Sequence, residues 1–137
     1  MAGLNGYWTG WYDYGDGRGV THFSASLSDI GGVLEGMTLE LDRDGRELEA
    51  SIDGDHHAGF AQFTKLYDVD LPGYDYPVEY AGEVNSAGTK ITGQWTIEGD
   101  EDIFGTAITF VGNFAMQRVS PLPRAAVERK ASITLKR

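Results

Sequence analysis

The sequence predicts an all-β fold, an eight-stranded up-and-down antiparallel β-barrel over residues 1–118 followed by a basic C-terminal tail over 119–137. Three observations lead there. Aromatic and β-branched residues fall in short runs separated by Gly, Asp or Asn, in a chain with 19 glycines and only 4 prolines. The connections between most runs are too short for anything but an antiparallel hairpin, so no crossover helix fits. The clearest runs are apolar on one face only, and eight such strands bury that face most simply by closing on themselves, which also removes exposed edges. A sandwich of two sheets is the main rival.

The first run, Tyr7–Tyr14, puts Trp8, Tyr12 and Tyr14 on one side and Tyr7 and Trp11 on the other. In Gly19–Leu27 the inward set is Phe23, Ala25 and Leu27, which sends His22 outward. Gly32–Leu41 is ambiguous and suggests a bulge near Gly36. Glu47–Asp53 ends on the turn signal Asp53-Gly54-Asp55, and His57–Tyr67 has no clear parity. Tyr76–Val84 alternates cleanly through Tyr76, Val78, Tyr80 and Val84, and Thr89–Ile97 does so through Ile91, Gly93, Trp95 and Ile97. The eighth run, Thr106–Arg118, offers Ile108, Phe110, Gly112, Phe114 and Met116 as its inner set. Beyond it, Ser120-Pro121-Leu122-Pro123 breaks the pattern, Arg124–Ala131 reads as a short helix and Ile133–Leu135 as an extra strand.

Charge narrows the function. Residues 1–117 hold 20 acidic against 5 basic residues, and residues 118–137 hold 6 basic against 1 acidic. An acidic body repels nucleic acid and anionic lipid, both of which are bound through Lys and Arg, so neither is expected as a partner. The absence of cysteine removes disulfides and thiolate metal sites. With no signal-like opening and no apolar stretch of membrane-spanning length, the expected location is cytoplasmic.

Gly6-Tyr7-Trp8 at the start of the first run and Phe114-Ala115-Met116-Gln117-Arg118 at the end of the last resemble the shared signature of the calycins, the superfamily of lipocalins, fatty-acid-binding proteins and avidins. The resemblance implies that Trp8 plugs one end of the barrel and that Arg118 packs over its indole, a contact worth about 0.5–2 kcal/mol. It covers the first 118 residues as a strand pattern but only these two segments at residue level. Gly93-Gln94-Trp95 is faintly similar to the penultimate strand of avidins, yet Thr9–Tyr14 replaces the polar run with which avidins read biotin.

With Trp8 at the floor, the connections 13–19, 42–47, 67–76 and 98–105 gather at the mouth, where binding loops usually lie. That rim is acidic, through Asp13, Asp16, Asp42, Asp44, Glu47, Asp68, Asp70, Asp75, Glu98, Asp100, Glu101 and Asp102 against Arg18, Arg43 and Arg46. It favours a neutral or cationic ligand. No inward Arg other than Arg118 is expected to meet a fatty acid.

Alternation directs Tyr12, Tyr14, Tyr76, Tyr80, Trp95 and Phe110 into the mouth-side half, and Leu71 or Tyr74 is placed to act as a lid. Flat rings with a few hydroxyls suit a pocket for a small apolar or aromatic ligand, although the same rings also fill small barrels. The leading expectation is therefore a non-enzymatic ligand-binding barrel. The second is a structural or protein-interaction module with a filled interior, and the third an enzyme with a Tyr/His acid–base site, which needs His22 turned inward toward Tyr12 or Tyr80. No metal or cofactor is expected: His56 and His57 point to opposite faces of a strand, and Gly99-Asp100-Glu101-Asp102 lacks the spaced ligands of a calcium loop. Outward Tyr7, Trp11, Val111 and Ala115 suggest a homo-oligomer through the first and last strands.

Overall fold

A computed structural model describes residues 3–15, 17, 19–68, 74, 76–101 and 104–119. Eight strands, β1 (Gly6–Asp13), β2 (Val20–Ile30), β3 (Val33–Leu41), β4 (Glu47–His57), β5 (Phe60–Tyr67), β6 (Val78–Val84), β7 (Lys90–Glu101) and β8 (Ala107–Arg118), pair in sequence order. Every pairing is antiparallel, and β8 returns to β1 to close the barrel. The helix and extra strand expected in the tail lie outside the described residues, as do Leu71 and the rim residues Asp16, Arg18, Asp70, Asp75 and Asp102.

Two expectations about the strands are corrected. The β2–β3 and β3–β4 ladders run without interruption past Gly36, and the irregularity falls instead between Glu98 and Glu101, on the β7–β8 ladder. A Cβ at Gly36 would stand 2.1 Å from the carbonyl oxygen of Ser26, so this glycine permits a close approach of two backbones within a regular ladder. Asp53-Gly54-Asp55 is not a turn: β4 continues to His57, and the chain reverses at Ala58 and Gly59, both with positive φ. Gly54 faces inward against β5, where a Cβ would lie 2.0 Å from the oxygen of Gln62.

The floor is built by the beginning of the chain. Trp8 is buried and donates its indole N–H to the Leu4 carbonyl at 3.0 Å, while Leu4 itself is fully enclosed. Arg118 is the direct cross-strand neighbour of Trp8, and its guanidinium carbon lies 5.1 Å from the indole centroid. The same guanidinium donates to the Gly3 carbonyl. The expected plug and its stacked cation are thus in contact, and the mouth is the opposite end.

A second set of polar contacts fixes this floor. One oxygen of Asp29 accepts from the Leu4 backbone N–H at 2.9 Å and pairs with His56 Nδ1 at 2.8 Å, and the other accepts from the Gly32 N–H at 3.1 Å. Burial raises the carboxyl pKa, but these hydrogen bonds outweigh it and hold Asp29 below its ordinary value. Three separate segments are pinned by one side chain.

Candidate functional site

Above the floor the interior is packed as far as a middle layer. Phe63 and Tyr80 stack with centroids 5.0 Å apart, and Phe114 meets Tyr80 edge-on at 4.9 Å. These rings come from β5, β6 and β8, where residues of one parity converge on the barrel axis. Beyond them the space opens into a cavity of about 760 Å³ that reaches the mouth.

Six of the seven residues expected around a pocket line it. Tyr12, Tyr80 and Trp95 are its buried walls, Tyr14 and Tyr76 stand at the opening, and half-buried Tyr74 leans from the mouth loop onto Tyr67 at 5.1 Å. Trp95 is held by an N–H···O bond of 2.7 Å to the Asp13 carbonyl and lies over Gly112, whose missing Cβ would stand 2.4 Å from the indole. Tyr14 meets Trp95 edge-on at 5.5 Å.

Phe110 is the exception. It shares the parity of Gly112 and Phe114, but β8 pairs with β1 only from Arg118 to Phe114, so the upper part of the β7–β8 hairpin extends past the seam. Phe110 is 55% exposed there and does not line the cavity. Its cross-strand partner Ile97 on β7 does.

A polar cluster at the cavity base was not expected from the sequence. Glu40 of β3 and Lys65 of β5 both point inward, both are nearly inaccessible, and Lys65 Nζ lies 2.7 Å from Glu40 Oε1. That oxygen also accepts from the Tyr67 hydroxyl at 2.9 Å, and Oε2 accepts from the Tyr12 hydroxyl at 2.5 Å. The Lys65 ammonium is surrounded by the rings of Tyr67, Tyr12, Phe23 and Tyr80, with centroids 4.7, 5.0, 5.3 and 5.8 Å away. Such a pair offsets its desolvation only through dense hydrogen bonding of this kind.

The electrostatics follow from the enclosure. Burial lowers the Lys65 pKa, and the Glu40 charge offsets part of that shift. Burial followed by the neighbouring Glu40 charge pushes the Tyr12, Tyr67 and Tyr80 hydroxyls well above the ordinary tyrosine value. The three phenols therefore remain protonated at neutral pH, and two of them donate to the carboxylate. Lys65, Tyr12 and Tyr67 all donate to Glu40, so the one cationic side chain of the cluster is paired with its one carboxylate.

Lys65 gave no legible signal, because β5 carries apolar residues at both parities; the structure buries Ala61, Phe63 and Lys65 and leaves Phe60 and Leu66 exposed. Glu40 had a misleading signal, because Val33, Met37 and Leu41 form the more apolar set of β3 and yet are exposed.

His22 is exposed, which removes the geometry that a Tyr/His acid–base site required. Among the described residues, no group of three or more His, Asp or Glu side chains is placed to hold a metal ion. His56 is committed to Asp29, and His57 is exposed on the other face of β4. No protein-family model matches the chain, and no curated protein matches it.

Proposed function

We propose that this protein is a non-enzymatic, calycin-like binding barrel for a small apolar or aromatic ligand. The supporting observation is the cavity itself, about 760 Å³ in volume, walled by aromatic rings and ending on a self-paired polar cluster. Pockets for ordinary small ligands have volumes of roughly 300–1,000 Å³, with mostly apolar walls and a few convergent polar groups. The contact between Trp8 and Arg118 supports the calycin comparison.

The chemistry favours a neutral ligand. Glu40 already accepts three hydrogen bonds, so a cation entering the cavity would have to displace one of its donors. An anion gains little from Lys65, whose charge is compensated at 2.7 Å, and at the opening Asp42, paired with Arg46, stands beside Arg43. A filled interaction module is disfavoured by the open volume. The outer faces of β1 and β8, where Val111 is exposed and Tyr7, Trp11 and Ala115 are half-buried, remain our choice for self-association.

Native mass spectrometry of freshly purified protein, together with titration by the neutral aromatic dye N-phenylnaphthylamine, tests this reading. The expected result is one small molecule or one dye per chain, with quenching of tryptophan fluorescence that is lost on Trp95→Ala. Ligand-free protein that leaves the dye in water would overturn it.

A further inference from the structure

In the ring layer that ends the packed interior, Tyr80 carries a hydroxyl that packing does not need. Its ring lies 5.0 Å from that of Phe63 and 4.9 Å from that of Phe114, contacts that a phenylalanine would make equally well. The Tyr12 and Tyr67 hydroxyls are spent on Glu40, whereas no protein group among the described residues bonds to the Tyr80 hydroxyl. Among those residues, the side-chain polar atoms that are both fully enclosed and unpartnered are Thr38 Oγ1, Glu47 Oε1, His56 Nε2 and Arg118 Nε. Tyr80 Oη is not one of them. The side chain is 3% exposed and lines the cavity, so its unpartnered oxygen opens on the cavity space.

We propose that the Tyr80 hydroxyl is the hydrogen-bond donor that selects the ligand, an uncharged apolar or aromatic molecule with a carbonyl oxygen directed at it. This rests on the binding reading above and specifies its ligand class. A carbonyl that leaves water for an apolar cavity loses its hydrogen bonds, and a waiting donor restores one of them. A site built around such a donor also disfavours analogues that lack the acceptor, because the donor is then left unpaired.

The surroundings fit each part of that ligand. Burial, and then the Glu40 charge, keep the phenol protonated at neutral pH, so the proton is present to be donated. The same Glu40 charge opposes a carboxylate at this position, which leaves a neutral acceptor. Trp95 is the direct cross-strand neighbour of Tyr80, and Val78 is the next residue of the same parity on β6. Both line the cavity, so a carbonyl at Tyr80 sets the body of the ligand against apolar walls that lead to Tyr14 and Tyr76 at the opening.

Calorimetric titration of the full chain with 2-acetylnaphthalene and with its carbonyl-free isostere 2-isopropenylnaphthalene tests the proposal, together with the infrared carbonyl stretch of the bound ketone. Tyr80→Phe should weaken the ketone by about three- to tenfold, the loss of one hydrogen bond, and leave the hydrocarbon unchanged. The bound stretch should lie below its value in hexane on the unaltered chain and return toward that value on the variant. Without ligand, the variant should melt no lower than the unaltered chain, since the hydroxyl it lacks has no partner in the fold. Equal ketone affinity in the two proteins, or a bound stretch at the hexane value on the unaltered chain, overturns the donor assignment, and the hydrocarbon still bound leaves the binding reading intact. A variant that fails to fold, or melts well below the unaltered chain, means that the hydroxyl has a partner within the fold and also overturns the assignment. Failure of both compounds to bind overturns both readings.

Discussion

Raising the pH tests the enclosed phenols directly. Tyr12, Tyr67 and Tyr80 ionise far above the ordinary value of 10.0 in the folded barrel, because burial and then Glu40 oppose the phenolate. The unfolded chain, whose tyrosines ionise near that value, therefore binds fewer protons than the folded one at alkaline pH. Stability from these groups is complete below pH 10 and is lost as pH rises above it. At about pH 11 each phenol costs the fold about 1.4 kcal/mol, and the three together about 4 kcal/mol. Lys65 acts in the opposite sense, since its lowered pKa makes stability rise with pH until its ordinary value of 10.5, and it adds nothing further beyond. The net profile rises gently and then falls steeply. Urea unfolding followed by circular dichroism should show the midpoint dropping by about 2 M between roughly pH 9.5 and 11, for a slope near 2 kcal/mol/M. Tyrosinate absorbance should lag until the barrel opens. Ionisation of all seven tyrosines in one reversible phase, with the strand signal and midpoint unchanged, would refute the reasoning.

Other substitutions examine separate parts of the structure. Trp95→Ala should weaken binding of N-phenylnaphthylamine by about tenfold or more, near 1.4 kcal/mol, whereas Phe110→Ala should leave the dye affinity unchanged because that ring stands outside the cavity. At the floor, Trp8→Ala is expected to cost about 3–5 kcal/mol in urea titration and Arg118→Met about 0.5–2 kcal/mol, with a double-mutant cycle showing that the two losses are not additive. Asp29 is held below its ordinary carboxyl value, so its contribution is present above about pH 4 and disappears as pH falls through the folded value. Asp29→Asn should remove that acid step and lower stability by about 1–3 kcal/mol. Gly54→Ala forces a Cβ to within 2.0 Å of the Gln62 oxygen, and a melting temperature equal to that of the unaltered chain would contradict the described close approach of β4 and β5.

The strand count, the up-and-down order, the floor pair and most of the cavity wall were legible in the sequence because each depends on a local period or a terminal signature. Alternation in β6 and β7 placed Tyr80 and Trp95 correctly without knowledge of any partner strand. The sequence also identified the mouth, since strand parity and loop order together decide which turns share an end. Local pattern failed where neighbouring strands decide the outcome. Phe110 has the right parity, but the point at which β8 leaves β1 is a property of barrel closure. Gly54 reads as a turn residue until β5 is seen pressed against it.

Composition and alternation by themselves determined that this chain would close a sheet around aromatic side chains, because burial of one face is a property each strand expresses alone. Only the tertiary structure decided that Glu40 and Lys65 meet inside, 25 residues apart in sequence. An inward charge is prohibitive for a single strand and becomes tolerable only when a distant strand supplies the opposite charge and two hydroxyls at hydrogen-bond distance. That compensation exists in no segment of the chain until the barrel has closed.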